Sequence, residues 1–145
     1  MTADTRLRTG LAILTGLWVT TGSAIPIGYV VLRVVRSAAG GRLGPELLER
    51  PAVVLALLAG FSIAATIGGW AAGWVASERR WRLAAFLSLA HVGLWLLVGL
   101  TGSLAFPAWL LSALALSASA GSTLGIWARS RQAGSRSLAA ASREP

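Results

Sequence analysis

Charged residues divide the chain into three long apolar stretches. No charged side chain occurs in residues 9–32, 51–77 or 83–128. A helix needs about 20 consecutive apolar residues to cross a membrane, so the first two stretches each hold one helix and the third holds two. The pattern therefore predicts an all-α protein, a bundle of four transmembrane helices arranged as two antiparallel hairpins.

The boundary inside the third stretch falls in the segment TGSLAFP, residues 101–107. Pro107 suits the first turn of a helix, and the residue before a proline resists helical backbone geometry. All four helices belong to one transmembrane domain, residues 1–128, and the basic tail 129–145 is expected to be flexible. The predicted helices cover residues 10–35, 52–77, 82–103 and 107–128.

Helix 2 contains the segment TIGGWAAGW, in which three glycines lie close together. Each glycine costs about 1 kcal/mol in a helix interior, so a packing reason is expected. At 3.6 residues per turn, Ala65, Gly69 and Gly73 share one face, Gly68 lies on the adjacent face, and the two tryptophans project from the opposite side. A face without side chains lets a second helix backbone approach closely, and van der Waals contact then holds the pair together in lipid.

Helix 4 repeats this spacing of four residues at Ser117, Gly121 and Gly125. The simplest arrangement packs helix 2 against helix 4 through the two small-residue faces. The alternative is that one of these faces forms the contact between two copies of the chain.

All 13 basic residues are arginines, and the net charge is +8. The arginines flank the apolar stretches instead of forming a stripe on a soluble surface, so we expect no nucleic-acid partner. Loops rich in arginine stay in the cytoplasm. The four arginines between helices 1 and 2 (Arg33, Arg36, Arg42 and Arg50) are outnumbered by the remaining nine. The sequence thus predicts a multi-pass protein of the cell membrane with both termini cytoplasmic.

Residues 60–128 resemble a group of uncharacterised small bacterial four-helix integral membrane proteins. The resemblance rests on GGWAAGWVASERRWR, on the histidine in SLAHVGLWLLVGL, on PAW at 107–109, and on a glycine late in helix 4. Helix 1 does not contribute to it. The resemblance implies the four-helix topology, and it implies no activity, cofactor or catalytic residue.

The residues needed for catalysis are scarce. The chain has no cysteine, which excludes disulfides, thiolate metal sites and cysteine nucleophiles. All five acidic residues lie outside the predicted spans, and the sequence has no nucleophile–base pair, phosphate-binding loop or metal-ligand cluster. We therefore expect a protein that is not an enzyme and that carries no metal or other cofactor.

His91 is the one ionisable side chain well inside a predicted span. An ionisable residue within the membrane is a candidate for function, as a contact to a ligand, a transported substrate or a haem. A neutral histidine that bonds to a Ser or Thr of a neighbouring helix needs no function. The sequence leaves both roles open.

The segment TTGSAIPIG, residues 20–28, is a second candidate. Pro26 has no backbone N–H to donate, so helix 1 is expected to kink or open here, with the hydroxyl groups of Thr20, Thr21 and Ser23 beside the break. Broken helices form substrate sites in transporters. The alternative is a plain kink whose backbone groups are satisfied by these hydroxyls.

A third candidate is the segment ERRWR, residues 78–82. Its side chains Arg79, Arg80 and Arg82 suit anionic lipid headgroups, at about 1 kcal/mol for each arginine. The alternative is that they only anchor the topology of the chain.

These observations favour a non-catalytic packing or accessory subunit that acts through helix–helix contacts. Its expected partners are the lipid bilayer and either another membrane protein or further copies of the chain. The alternative is a small oligomeric transporter or channel with its site at the helix 1 break and His91. The two hypotheses differ in whether His91 and the hydroxyls of helix 1 line one cavity.

Overall fold

The structure is a computed structural model that describes residues 3–38, 50–75, 80–101 and 107–141, with side chains for 6–37, 50–75, 81–101 and 107–132. Apart from Arg50 and Pro107, every residue in these ranges is helical. The predicted all-α, four-helix fold is confirmed, and each helix is long and apolar enough to cross a membrane. The helices are α1 (Ala3–Ala38), α2 (Pro51–Val75), α3 (Arg80–Thr101) and α4 (Ala108–Ala141).

Two of the helices differ from the prediction. Helix α4 continues to Ala141, so residues 129–141 of the predicted tail are helical, because this segment is rich in the good helix formers Ala and Arg. Helix α1 is continuous with Pro26 inside it, so, of the kink or opening predicted at this proline, the opening is absent. Membrane helices tolerate the loss of one backbone hydrogen bond at a proline.

Helix α2 lies between α1 and α4 and packs closely on both, whereas it scarcely touches α3. Helix α3 packs mainly on α4 and less closely on α1. The contacts of Gly60 with Ile27 and of Gly68 with Gly16 make α1 and α2 antiparallel. Neighbouring helices therefore alternate in direction along the chain, and α1 and α3 run the same way.

The small residues of α2 serve two neighbours. On the first face, Gly68 lies directly against α1, where a Cβ would collide with the side chain of Thr20 and the backbone of Gly16. A Cβ at Gly16 would lie 3.0 Å from that of Ala72, so Gly16 is itself part of this contact. Because no side chains separate α1 from α2 here, the two backbones touch.

The second face of α2 meets α4. A Cβ at Gly69 would collide with the backbone of Ser122, and Cβ atoms at Gly121 and Gly125 would collide with the carbonyl oxygens of Ser62 and Thr66. This contact between helices 2 and 4 forms within one chain, so these faces are not available to a second copy. The broad small face read from the sequence is thus divided between α1 and α4.

Two apolar clusters fill the core at different heights of the bundle. One joins α1, α2, α3 and α4 near the start of α3, and the other joins α3 and α4 near the start of α4. In the second cluster, Trp95 meets Phe61 of α2 edge to face, with 5.2 Å between the ring centroids. The first cluster consists of Ala12, Ala72, Leu83, Leu87 and Ile126, and the second of Trp95, Leu110, Leu114 and Ala115.

Candidate functional site

Three polar side chains are buried in the described part of the chain: Thr20 is 5% exposed, His91 1% and Ser122 0%. Each comes from a different helix, namely α1, α3 and α4. We call these three residues the polar layer. Helix α2 supplies no polar side chain to it and contributes its glycine faces instead.

The contacts of α2 with α1 and α4, and of α1 with α3, place all three residues at one height. Gly68 lies against Thr20, and the next residue, Gly69, lies against Ser122. Gly16 lies against Leu87, at 3.1 Å from a Cβ placed on Gly16. Thr20 and His91 each follow one turn later on two helices that run in the same direction, so they also share a height. The polar layer therefore separates the two apolar clusters.

Hydrogen bonds tie each member of the polar layer to its own helix. Thr20 donates its hydroxyl to the Gly16 carbonyl oxygen at 2.7 Å, and Ser122 donates to that of Ser119 at 3.0 Å. The His91 Nδ1 atom lies 2.8 Å from the Leu87 carbonyl oxygen. Since a carbonyl only accepts, Nδ1 carries the proton in this contact.

The second nitrogen of His91 is different. Its Nε2 atom is buried and has no hydrogen-bond partner in the described part of the chain. One of the two roles left open for His91 was a bond to a Ser or Thr of a neighbouring helix, whereas its hydrogen bond goes to its own helix. The hydroxyls of Thr20 and Ser122 both donate to carbonyl oxygens in the preceding turn of their own helices. Nε2 is therefore an unpaired acceptor.

The other residues proposed for the helix 1 site do not join His91. Thr21 is exposed and donates its hydroxyl to the Leu17 carbonyl oxygen at 2.9 Å. Ser23 is half-buried and Pro26 is exposed on the outer surface of α1. Of the four polar residues proposed to share one cavity, only Thr20 and His91 turn into the bundle. Thr21 and Pro26 face outward because α1 keeps its helical rotation through the proline.

An apolar groove of ≈ 680 Å³ runs along the outside of the bundle between α1 and α3. Trp18, which is 80% exposed, lies beside it together with Thr21 and Gly22 of α1 and Gly93 of α3. A Cβ added at either of these two glycines would meet no atom within 4 Å. His91 does not line this groove. The groove is therefore an open surface, unlike the closed glycine contacts inside the bundle.

A second groove, of ≈ 590 Å³, lies between α3 and α4. Its lining includes Trp95, Gly99 and Leu111, and it also excludes His91. The part of the chain with described side chains contains no cluster of three or more residues that could hold a metal ion.

The proposed headgroup arginines lie at one end of the bundle. Arg79 is outside the described residues, and Arg80 begins α3 without a described side chain. Arg82 is half-buried, and its guanidinium carbon lies 5.2 Å from the ring centroid of Trp81. Arg131 of α4 stacks in the same way on Trp127, at 4.2 Å. Arg82 and Arg131 are thus each paired with a tryptophan.

Sequence reasoning missed Gly16, Ser122 and Arg129. Gly16 belongs to the series Ala12, Gly16 and Thr20, which has the same spacing of four as the glycine faces and was detectable on that ground. Ser122 sits in a helix with several serines, and nothing local marks it as the buried one. No protein-family model, curated protein or solved structure matches this chain.

Proposed function

We propose that this protein is a non-catalytic accessory subunit that binds a transmembrane helix of another membrane protein. The single observation that supports this most is the groove between α1 and α3. Inside the bundle, small residues lie where helix backbones touch. Gly22 and Gly93 form a similar surface without side chains in the groove, but no other helix of the described chain packs on them. A partner helix laid along this groove would gain the close backbone contact that holds helices together in lipid.

The setting of the groove supports the same proposal. Leu14, Trp18 and Ile25 border it on α1 and are all exposed, so large side chains flank the open glycines. A partner helix would insert between these side chains as a ridge enters a groove.

The arginine counts favour cytoplasmic termini. The resemblance of residues 60–128 to small bacterial membrane proteins stays a prediction.

The transport hypothesis has less support. It needs a cavity that reaches His91, and His91 lines neither of the two grooves described above. The helix 1 break that was to form the other half of the site is a continuous helix.

Because the chain has no cysteine, cross-linking through introduced cysteines tests the proposal. A Leu97→Cys protein carrying a short photo-cross-linker leaves both glycines bare, because Leu97 is an exposed residue of the groove lining, and it is expected to give one discrete adduct in its native membrane. Gly22→Leu in the same protein should abolish the adduct, since the added side chain fills the groove. Gly10→Leu is the matched control, because Gly10 is also a glycine of α1 with no atom within 4 Å of an added Cβ, and it does not line the groove.

Three outcomes contradict the proposal. The first is the absence of a discrete adduct, and the second is an adduct that survives Gly22→Leu. The third is an adduct of two copies of this 15.0 kDa chain, which would assign the groove to a homo-oligomer instead of a different partner.

A further inference from the structure

Arg129 of α4 is seated in a slot on α2. A Cβ added to Gly73 would lie 3.2 Å from Cγ and 3.3 Å from Cβ of Arg129. The nearest backbone atom of α4, Cα of Ile126, is 3.8 Å from the same point. The missing side chain of Gly73 therefore makes room for the arginine stem, in addition to bringing the helices together.

The guanidinium group of Arg129 stacks on Trp74, which follows Gly73 in α2. Its guanidinium carbon lies 4.0 Å from the ring centroid of Trp74, the shortest of the arginine–aromatic distances found in the described chain. Trp74 is itself held by an edge-to-face contact with Trp70, at 5.8 Å between centroids. Trp70 donates its indole N–H to the Gln132 side-chain oxygen at 3.3 Å. These contacts hold the Trp74 ring against which the guanidinium lies.

The guanidinium of Arg129 lacks a counter-charge within the described chain. Its Nε and Nη1 atoms are buried and have no hydrogen-bond partner there. A guanidinium stays charged at every physiological pH, so it cannot relieve this by losing a proton. A buried, unpaired charge is costly, and stacking on an aromatic ring offsets only part of that cost. None of the described side chains is acidic, so nothing among them neutralises this charge, and an anion that reaches this end of the bundle would be attracted to it.

The surroundings identify the kind of anion. Trp81 and Trp127 are 71% and 52% exposed at the same end of the bundle, as expected for aromatic residues at the lipid headgroups. Arg82 and Arg131 add two more positive charges there. An arginine guanidinium binds phosphate strongly through charge-assisted hydrogen bonds. A phospholipid headgroup carries a phosphate at the level of these tryptophans.

We infer that Arg129, held by Gly73 and Trp74, binds the phosphate of an anionic phospholipid headgroup at the arginine-rich end of the bundle. This site is separate from the groove between α1 and α3. It also differs from a general attraction of basic residues to the membrane, because the slot fixes one guanidinium in position.

The test is a titration of the full-length protein in detergent with short-chain phosphatidylglycerol, followed by native mass spectrometry. Arg129→Gln should weaken binding about fiftyfold, because both a charge and charge-assisted hydrogen bonds are lost. Arg131→Gln is the matched control: it removes the same charge at the same end and should weaken binding only about fivefold. Equal losses in the two variants, or no binding by the unaltered protein, would overturn the inference.

Two further arms keep the result interpretable. Arg129→Lys keeps the charge, and so protects the fold, but lacks the planar fork; it should bind clearly less well than the unaltered protein. Lysine binding as well as arginine would overturn the fixed guanidinium site, and this variant decides the question if Arg129→Gln fails to fold. Inorganic phosphate should not displace the lipid, and displacement would assign the site to a free anion.

Discussion

The contact between Gly69 and Ser122 yields the sharpest stability prediction. In Gly69→Ala, the new Cβ would lie 2.7 Å from both the carbonyl carbon and the Cα of Ser122. Carbon atoms prefer a separation of about 3.5–4.0 Å, so α2 and α4 must move apart by roughly 1 Å. Because the obstacle is backbone, no rotation of a side chain can relieve it.

The expected magnitude follows from two opposing terms. Adding a methylene-sized group to a well-packed contact costs about 1–3 kcal/mol. Replacing glycine by alanine in a helix returns about 0.5–1 kcal/mol. Gly69→Ala should therefore lower the free energy of unfolding by about 1 kcal/mol, and by at most about 2.5 kcal/mol.

The matched control is Gly93→Ala, which makes the same chemical change on α3. A Cβ at Gly93 meets nothing within 4 Å, so only the favourable helix term remains. Reversible unfolding in mixed detergent micelles, followed by circular dichroism, measures both variants. If Gly69→Ala proves as stable as Gly93→Ala, then α2 and α4 do not approach as closely as this structure has them.

Three further predictions concern other residues. Ser117→Ala removes the hydrogen bond from Ser117 to the Leu58 carbonyl oxygen of α2, 2.8 Å long, and should cost about 0.6 kcal/mol in the same unfolding assay; an effect above about 2 kcal/mol would mean that this bond has a larger role. His91→Leu should leave the free energy of unfolding unchanged or raised, because it removes a buried nitrogen that has no hydrogen-bond partner in the described chain. The purified unaltered protein should be colourless, and a haem Soret band that disappears in His91→Gln would contradict a structural role for His91. A cysteine at Ser130 should escape an impermeant thiol reagent in intact cells while one at Gly44 reacts, and the opposite pattern would reverse the topology.

The candidate site was only partly predictable from the sequence. His91 stood out because an ionisable residue is rare within a span, and it is buried as a lone polar group would require. The positions of its proposed companions did not follow from the sequence: Thr20 turns inward, whereas the adjacent Thr21 is exposed. Adjacent residues of a helix point about 100° apart, so the position of α2 decides which of the two side chains is buried. Arg129 looked like one basic residue of a tail until Gly73 and Trp74 were found beneath it.

The sequence by itself determined that there are four helices and roughly where they lie, because charges cannot remain in the hydrocarbon region of a membrane and their spacing sets the lengths of the spans. It also determined which residues share a face, because helical periodicity is local. Only the tertiary structure decided which helix covers each face. In lipid, the protein interior and the surrounding tails are equally apolar, so hydrophobicity does not distinguish an inner face from an outer one. The close fit of the backbones decides instead, and it places Gly68 against α1 and Gly69 against α4.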